Sequence, residues 1–149
     1  MNFLYNVGRE GFLTRVTVGA TVAQHDWVND HIRVALVEDT YVGAGNEGVH
    51  RSYADIAPHV AADAALTGRT TNGSGTASAS TVVFPSVPAG PTISAVVIYK
   101  SDQAGLPLVN ADSPLILHLS TAVTGLPITP NGGDITVLWN GGTGEIFRI

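Results

Sequence analysis

Several residue types that define common protein classes are scarce or absent in this chain of 149 residues. It has no cysteine, which excludes a disulfide scaffold, thiol catalysis and any zinc site built on cysteine. Charged residues make up only 13% of the chain, well below the usual fraction. Seven basic residues against twelve acidic ones give a formal charge of −5, and the basic residues do not cluster. We therefore expect neither nucleic acid nor a membrane surface as a partner.

Long apolar runs are also missing. The longest, such as residues 95–99, are far shorter than the roughly 20 residues that cross a bilayer. Arg9, Glu10 and Arg15 interrupt the N-terminus where a secretory signal needs a continuous apolar stretch. Hydrophobic residues nevertheless make up 44% of the chain, which is enough for a core at this length. The sequence predicts one domain over residues 1–149, made in a reducing cytosol.

Short stretches with strand-like patterns recur along the chain. Ile32, Val34 and Leu36 alternate with more polar positions, which is typical of a half-buried strand. Residues 93–100 are apolar on both faces and rich in β-branched side chains, so they predict a central strand that is buried on two sides. Further strands are predicted at residues 60–66, 81–84, 115–119, 134–139 and 145–149.

Turns rich in glycine separate these strands, and residues 140–144 predict a hairpin loop between the last two. We therefore predict a mainly β fold, an antiparallel β-sandwich of jelly-roll-like type. A short N-terminal arm or helix is expected over residues 1–14, with the sandwich over residues 15–149. Residues 40–48 contain few core-forming side chains and predict a long surface loop.

One histidine–carboxylate cluster was considered as a metal site. His25, Asp26, Asp30 and His31 lie within seven positions. In a turn that enters a strand, these side chains are not expected to converge on an ion. The sequence favours a solvated loop here, and we predict no metal site and no cofactor.

His50, Ser52 and Asp55 supply the residue types of a hydrolytic triad. The chain has no Gly-x-Ser-x-Gly elbow, and triad members normally come from separate elements. Asp55, three residues after Ser52, is better explained as part of a capping box at the start of a helical turn. We predict no catalytic residues.

An apolar N-terminal segment and a weakly charged surface indicate an assembly role rather than an enzyme. Phe3, Leu4 and Tyr5 are difficult to bury in a sandwich of their own. Sparse charge indicates that another chain covers part of the surface. The candidate interface residues are Phe3, Leu4, Tyr5, Phe12 and Trp27.

Several segments together resemble small virion structural proteins of tailed bacteriophages, and the similarity runs along most of the chain. The segments are NFLYNVGREGFL (2–13), Trp27, IRVALVE (32–38), LTGRT (66–70), AVVIYK (95–100) and TGLPITPNGGDITV (124–137). Residues 15–24 depart from the resemblance, because they look longer than the usual short turn.

The resemblance implies a non-enzymatic capsid decoration (cement) protein on the virion exterior, assembled in the host cytoplasm. Its partner would be the major capsid protein, which it would bind as a symmetric homo-oligomer, with a trimer favoured. Residues 2–14 would form an arm that bridges neighbouring subunits. The alternative for this segment is that it covers an open end of the sandwich of its own chain.

Two other functions stay open. A tail or head-to-tail connector component would share the sandwich fold and the symmetric assembly. A jelly-roll protein that binds or hydrolyses carbohydrate at the host surface would instead present an exposed aromatic platform or a pair of carboxylates in a cleft.

Overall fold

The computed structural model describes residues 1–101, 111–121 and 123–149. Its regular elements follow in chain order. They are β1 (Phe3–Leu4), α1 (Asn6–Leu13), β2 (Val16–Val18), β3 (Thr21–Ala23), β4 (Ile32–Glu38), two 3₁₀ turns (Tyr53–Asp55 and Ala57–His59), β5 (Val60–Ala65), β6 (Thr70–Thr71), β7 (Thr76–Ser78), β8 (Val82–Phe84), β9 (Ile93–Lys100), β10 (Leu115–Leu119), β11 (Val123–Thr124), β12 (Ile135–Trp139), a 3₁₀ turn (Asn140–Gly142) and β13 (Glu145–Arg148).

A five-stranded antiparallel sheet in the order β1-β10-β9-β4-β5 forms the centre of the fold. The predicted doubly buried strand is β9. Val96 and Ile98 lie in a core on one face, whereas Val97 and Tyr99 lie in a core on the other. This prediction is confirmed, and so is the strand that residues 60–66 favoured, which is β5.

Two three-stranded antiparallel sheets, β11-β12-β8 and β13-β7-β6, pack against one face of the central sheet. Ile135, Val137 and Trp139 share one face of β12, as their alternation predicts, and all three are buried there. Burial of apolar side chains between the layers is the main favourable term for this packing. The predicted mainly β, antiparallel fold with a short N-terminal helix is confirmed, and its packing is sandwich-like.

The second face of the central sheet is covered by the N-terminal segment and by the irregular stretch that follows β4. We call the buried residues on this face the N-terminal core. Its members are Tyr5, Val7, Val16, Val18, Ala35, Val37, Tyr41, Tyr53, Ile56, Val97, Tyr99 and Leu115. Tyr41 corrects the prediction of a surface loop at residues 40–48, because its ring lies in this core.

The same covering layer corrects the prediction for β4, which is buried on both faces rather than on one. Arg33 points toward the covered face and is neutralised there by Asp63 of β5. Nε of Arg33 donates to Oδ2 of Asp63 at 3.1 Å, and Nη2 donates to Oδ1 at 3.3 Å. The Tyr99 hydroxyl donates to the same carboxylate. Removing one member of a buried pair leaves the other charge unpaired, so the pair makes β4 and β5 depend on each other.

The predicted hairpin at residues 140–144 is wrong. β12 pairs with β8 and β11, whereas β13 pairs with β7 in the other outer sheet. Asn140, Gly141 and Gly142 all have positive φ angles, at 43°, 68° and 100°. This left-handed stretch leads the chain into the other sheet instead of back along β12.

Residues 15–24 form the β2–β3 hairpin, in which Val16 pairs with Ala23 and Val18 pairs with Thr21. The stretch that departs from the phage resemblance is therefore a regular element. Val16 and Val18 face the N-terminal core, so the hairpin extends the layer that covers the central sheet.

Helix α1 approaches its neighbours closely because two of its residues are glycines. A Cβ atom on Gly8 would lie 2.4 Å from the carbonyl oxygen of Ile116 in β10. A Cβ atom on Gly11 would lie 2.2 Å from the ring of His25. Real Cβ atoms do not approach other atoms at these distances, so either side chain would push the helix away from its seat.

We predict that Gly8→Ala destabilises the protein, although alanine normally favours a helix by about 1 kcal/mol over glycine. The clash with the Ile116 carbonyl costs more than this gain, and we expect the free energy of unfolding to fall by about 1–2 kcal/mol. Urea denaturation measures the change. Gly73→Ala is the control, because a Cβ there has nothing within 4 Å. A Gly8→Ala protein as stable as the control would contradict the close packing of α1.

Candidate functional site

An open groove of about 660 Å³ lies on one side of the molecule, and its volume is within the size range of ligand pockets. Helix α1, the segment after β3 and the outer sheet strands around β7 and β13 bring its walls together. Phe12, Trp27 and Phe147 form an aromatic wall. The polar rim consists of Gln24, Asp26, Thr71 and Asn72. We call this cavity the aromatic groove.

The aromatic wall is a set of rings in mutual contact. The ring centroids of Trp27 and Phe147 lie 5.1 Å apart with the rings at 89°, and those of Phe12 and Phe147 lie 5.6 Å apart. The Trp27 indole Nε1 donates to the carbonyl of Ser78 at 3.2 Å, which fixes the indole at the base of the wall. Phe12 and Phe147 are only half-buried, so each keeps ring surface available in the groove.

Asn72 is oriented by the turn in which it lies. Its Oδ1 accepts from the backbone N–H groups of Ser74 at 2.9 Å and Thr76 at 3.0 Å. Because the oxygen is held by the turn, the amide cannot flip without losing both bonds. The Nδ2 group is therefore a fixed donor, and no described residue accepts from it.

Asp26 is held in a similar way. Its Oδ1 accepts from the backbone N–H groups of Val28 and Asn29, each at 3.1 Å, and its Oδ2 accepts from the Asn29 side chain at 2.8 Å. The Asn29 side-chain and backbone donors lower the pKa of the Asp26 carboxyl. The rim thus carries an ionised acceptor in a fixed position.

Two cations hold the segment that carries Gln24, Asp26 and Trp27. Arg69 Nε donates to the carbonyl of Trp27 at 2.7 Å, and its Nη2 donates to the carbonyls of Val28 and Asp30 in the same turn. Lys100 donates to the Gln24 carbonyl at 2.8 Å and pairs with the Asp30 carboxylate at 2.9 Å. The segment has little regular structure, so these bonds determine its course.

His25 lies beneath the groove rather than in solvent. Its backbone N–H donates to the Gly11 carbonyl at 2.7 Å, and its ring packs at 5.2 Å from that of Phe12. Only 6% of the residue is exposed, and neither ring nitrogen forms a well-aligned hydrogen bond with a described residue. Burial, followed by the nearby Lys100, lowers the pKa of His25 to about 4. The prediction of a solvated loop is therefore wrong for His25, although it suits the exposed Asp26 and His31.

The candidate interface residues lie in different environments. Tyr5 and Trp27 are 0% and 4% exposed, which contradicts their assignment as interface anchors. Amphipathic aromatic residues suit a core as well as an interface, and here their own chain covers them. Phe3, Leu4 and Phe12 are half-buried, and their interface role stays a prediction.

The segment over residues 2–14 packs on its own chain instead of extending away as an arm. β1 pairs with β10, in which Phe3 is the register partner of His118, and the two rings stack at 4.8 Å. His118 is itself buried beneath the Phe3 ring. The segment therefore covers the central sheet, which is close to the alternative stated for it.

His50, Ser52 and Asp55 do not form a triad. Asp55 Oδ2 accepts from the backbone N–H of Ser52 at 2.9 Å within the predicted capping box. His50 Nδ1 instead bonds to the hydroxyl of Tyr41 at 2.8 Å, and Tyr41 bonds to the hydroxyl of Tyr5 at 2.8 Å. Burial raises the pKa of Tyr41 and Tyr5, so both hydroxyls stay protonated.

Within residues 1–101, 111–121 and 123–149, no group of three or more histidine or carboxylate side chains is arranged to hold a metal ion. None of the described helices combines the length and the hydropathy that are needed to cross a bilayer.

Sequence reasoning missed the groove because its residues come from four separate parts of the chain. The sequence alone places Phe147 only in a terminal strand. No local pattern brings residues 12, 24–27, 71–77 and 147 together, since the pairing of β13 with β7 is what places Phe147 beside Trp27. Of the two tryptophans in the chain, Trp27 lies at the groove, whereas Trp139 is buried in the core.

Comparisons of this chain with protein-family models, with curated protein sequences and with solved structures gave no significant match.

We predict that acid destabilises the protein through His25. The unfolded chain binds the histidine proton near pH 6.5, whereas the folded chain binds it near pH 4. The free energy of unfolding should therefore fall as the pH decreases from 6.5 to 4, by up to about 1.4 kcal/mol per pH unit. Urea denaturation across this range measures the slope.

His25→Phe keeps a ring and removes the proton site, so it should flatten this slope. His118, whose pKa is also lowered by burial, leaves a residual slope. His31→Asn is the control, because it removes an exposed histidine of the same turn. Parallel loss of stability in the His25→Phe protein and the unmodified protein would show that His25 is not the group responsible.

Proposed function

We propose that this chain is a non-enzymatic structural protein of a virion. It decorates and stabilises a phage capsid by binding the major capsid protein as a symmetric oligomer, with a trimer favoured. The resemblance to small phage virion proteins supports this function, and the observation that carries it is an exposed apolar surface at the edge of the central sheet.

This surface, which we call the edge patch, consists of Met1, Phe3 and Val42. The three residues line one shallow cleft of about 250 Å³ next to β1, the outermost strand of the central sheet. Met1 is 62% exposed and Val42 is 65% exposed. Apolar side chains grouped around a cleft are typical of a surface that another protein covers.

The position of the edge patch suits a decoration protein. Its β1 side is held against the central sheet, because Met1 and Asn2 are bonded to residues that follow β10, whereas Val42 lies in the irregular stretch after β4. The Met1 carbonyl accepts from Ser120 Oγ at 2.9 Å, and Asn2 Oδ1 accepts from the Thr121 N–H at 2.9 Å. A preorganised patch loses little entropy on docking, and many weak contacts on a shell add through multivalency.

Copy number separates this function from that of a connector component. A decoration protein occupies a lattice of equivalent sites over the shell, whereas a connector ring holds about six or twelve copies. Quantitative mass spectrometry of purified particles measures the number, and averaged images of the particle show where the additional density lies. A count that matches one ring would favour the connector function instead.

We predict that Val42→Asp prevents the chain from binding to capsids that lack it. A carboxylate in a covered apolar contact must lose its hydration without gaining a partner. We expect affinity to fall by at least about tenfold in a co-sedimentation assay. Deletion of residues 2–14 is a poorer test, because it removes the buried Tyr5 and Val7 and would unfold the protein.

Val83→Asp is the matched control. Val83 is 51% exposed on β8, in the outer sheet, and does not line the edge patch. Both variants should keep the unfolding temperature of the parent within a few degrees, since each changes an exposed side chain. Equal binding by the Val42→Asp and Val83→Asp proteins would remove the edge patch from the docking surface.

A further inference from the structure

We propose that the aromatic groove is a binding site for a neutral saccharide. This inference goes beyond the proposed assembly function and does not depend on it, because the groove and the edge patch share no residue.

The groove combines aromatic ring surface with hydrogen-bonding groups. Sugars present C–H faces that pack on aromatic rings and hydroxyls that both donate and accept. The half-buried Phe12 and Phe147 offer ring surface, with Trp27 fixed behind them. A few placed polar groups beside an apolar wall are what fix orientation in a ligand site.

The polar groups of the groove are preorganised and keep unused hydrogen-bonding capacity. The turn that holds Asn72 Oδ1 leaves Nδ2 as a donor. Asp26 accepts three bonds from its own turn, and a carboxylate has about four acceptor sites, so it can accept one more from a hydroxyl. Gln24 and Thr71 add exposed side chains that bond to no described residue. Fixed groups of this kind bind with little loss of entropy.

The charge of the groove also selects among ligands. No lysine or arginine is among the described residues that line it, and its ionised side chain is a carboxylate. Phosphorylated or acidic ligands would meet repulsion there without a compensating cation. Asp26 is also the single acidic side chain among those described residues, whereas glycoside hydrolysis normally needs two. The groove therefore fits binding of an uncharged sugar.

Four neutral tetrasaccharides are the probes: cellotetraose, maltotetraose, mannotetraose and chitotetraose. Each is titrated into the full chain labelled with ¹⁵N. We expect at least one to bind with a dissociation constant of about 1 mM, as suits an open groove. The expected signals are shifts of the Trp27 indole N–H and of the side-chain amides of Asn72 and Gln24.

Asn72→Asp is the decisive variant. A carboxylate at this position still accepts from the Ser74 and Thr76 N–H groups, so the turn is kept, whereas the Nδ2 donor is replaced by a negatively charged acceptor. We expect binding to weaken about tenfold, which corresponds to one hydrogen bond. Asn131→Asp is the matched control, because Asn131 makes a similar turn bond to the Gly133 N–H at 3.0 Å outside the groove. Gln24→Ala is a second variant at an exposed side chain and should also weaken binding.

The proposal is overturned if none of the four probes binds at about 10 mM. It is also overturned if the shifts map outside the groove, or if Asn72→Asp and Gln24→Ala bind as tightly as Asn131→Asp. Tetragalacturonate tests the ligand class, since tighter binding of this acidic sugar than of the neutral ones would contradict the charge argument.

Discussion

The central sheet is buried on both faces, and the rest of the chain has to cover both of them. β9 and β4 carry apolar side chains on both sides, so water has to be excluded twice. The outer sheets cover one face. The other is covered by α1, by the β2–β3 hairpin and by the stretch between β4 and β5, which has little regular structure. This requirement explains why Tyr41 and Tyr53 are buried in a region with otherwise few core-forming residues.

The need to cover both faces of the central sheet also bears on the low charge content. From the sequence alone, a charged fraction of 13% indicates a surface that another chain covers. Two buried faces already require many uncharged positions, and the buried cation Arg33 needs Asp63 to neutralise it. Sparse charge is therefore in part a property of the core. What supports assembly is the narrower observation that Met1 and Val42 are exposed beside one cleft.

The sequence predicted the elements well, since strand alternation and the capping box are local patterns. The apolar run of β9 and the alternation of β12 both express which faces are buried, and the structure agrees. Pairing partners are not local. Residues 140–144 look like a hairpin loop, but β13 pairs with β7, and only that pairing brings Phe147 to Trp27 and forms the groove. The burial of Tyr5 could not be predicted from the sequence either, because an amphipathic aromatic side chain suits a core and an interface equally.

The bonds that the basic side chains make within the fold indicate which partners suit it. Six of the seven basic side chains bind carbonyl or carboxylate oxygens of their own chain. They are Arg9, Arg33, Arg51, Arg69, Lys100 and Arg148. Lys100 and Arg69 hold the turn that carries Asp26, so the bonds that position the rim of the aromatic groove also occupy the donors of these two cations. A polyanion would have to displace these bonds to bind, whereas an apolar shell contact or a neutral sugar leaves them intact. Both proposed surfaces therefore suit partners that bind without displacing these bonds.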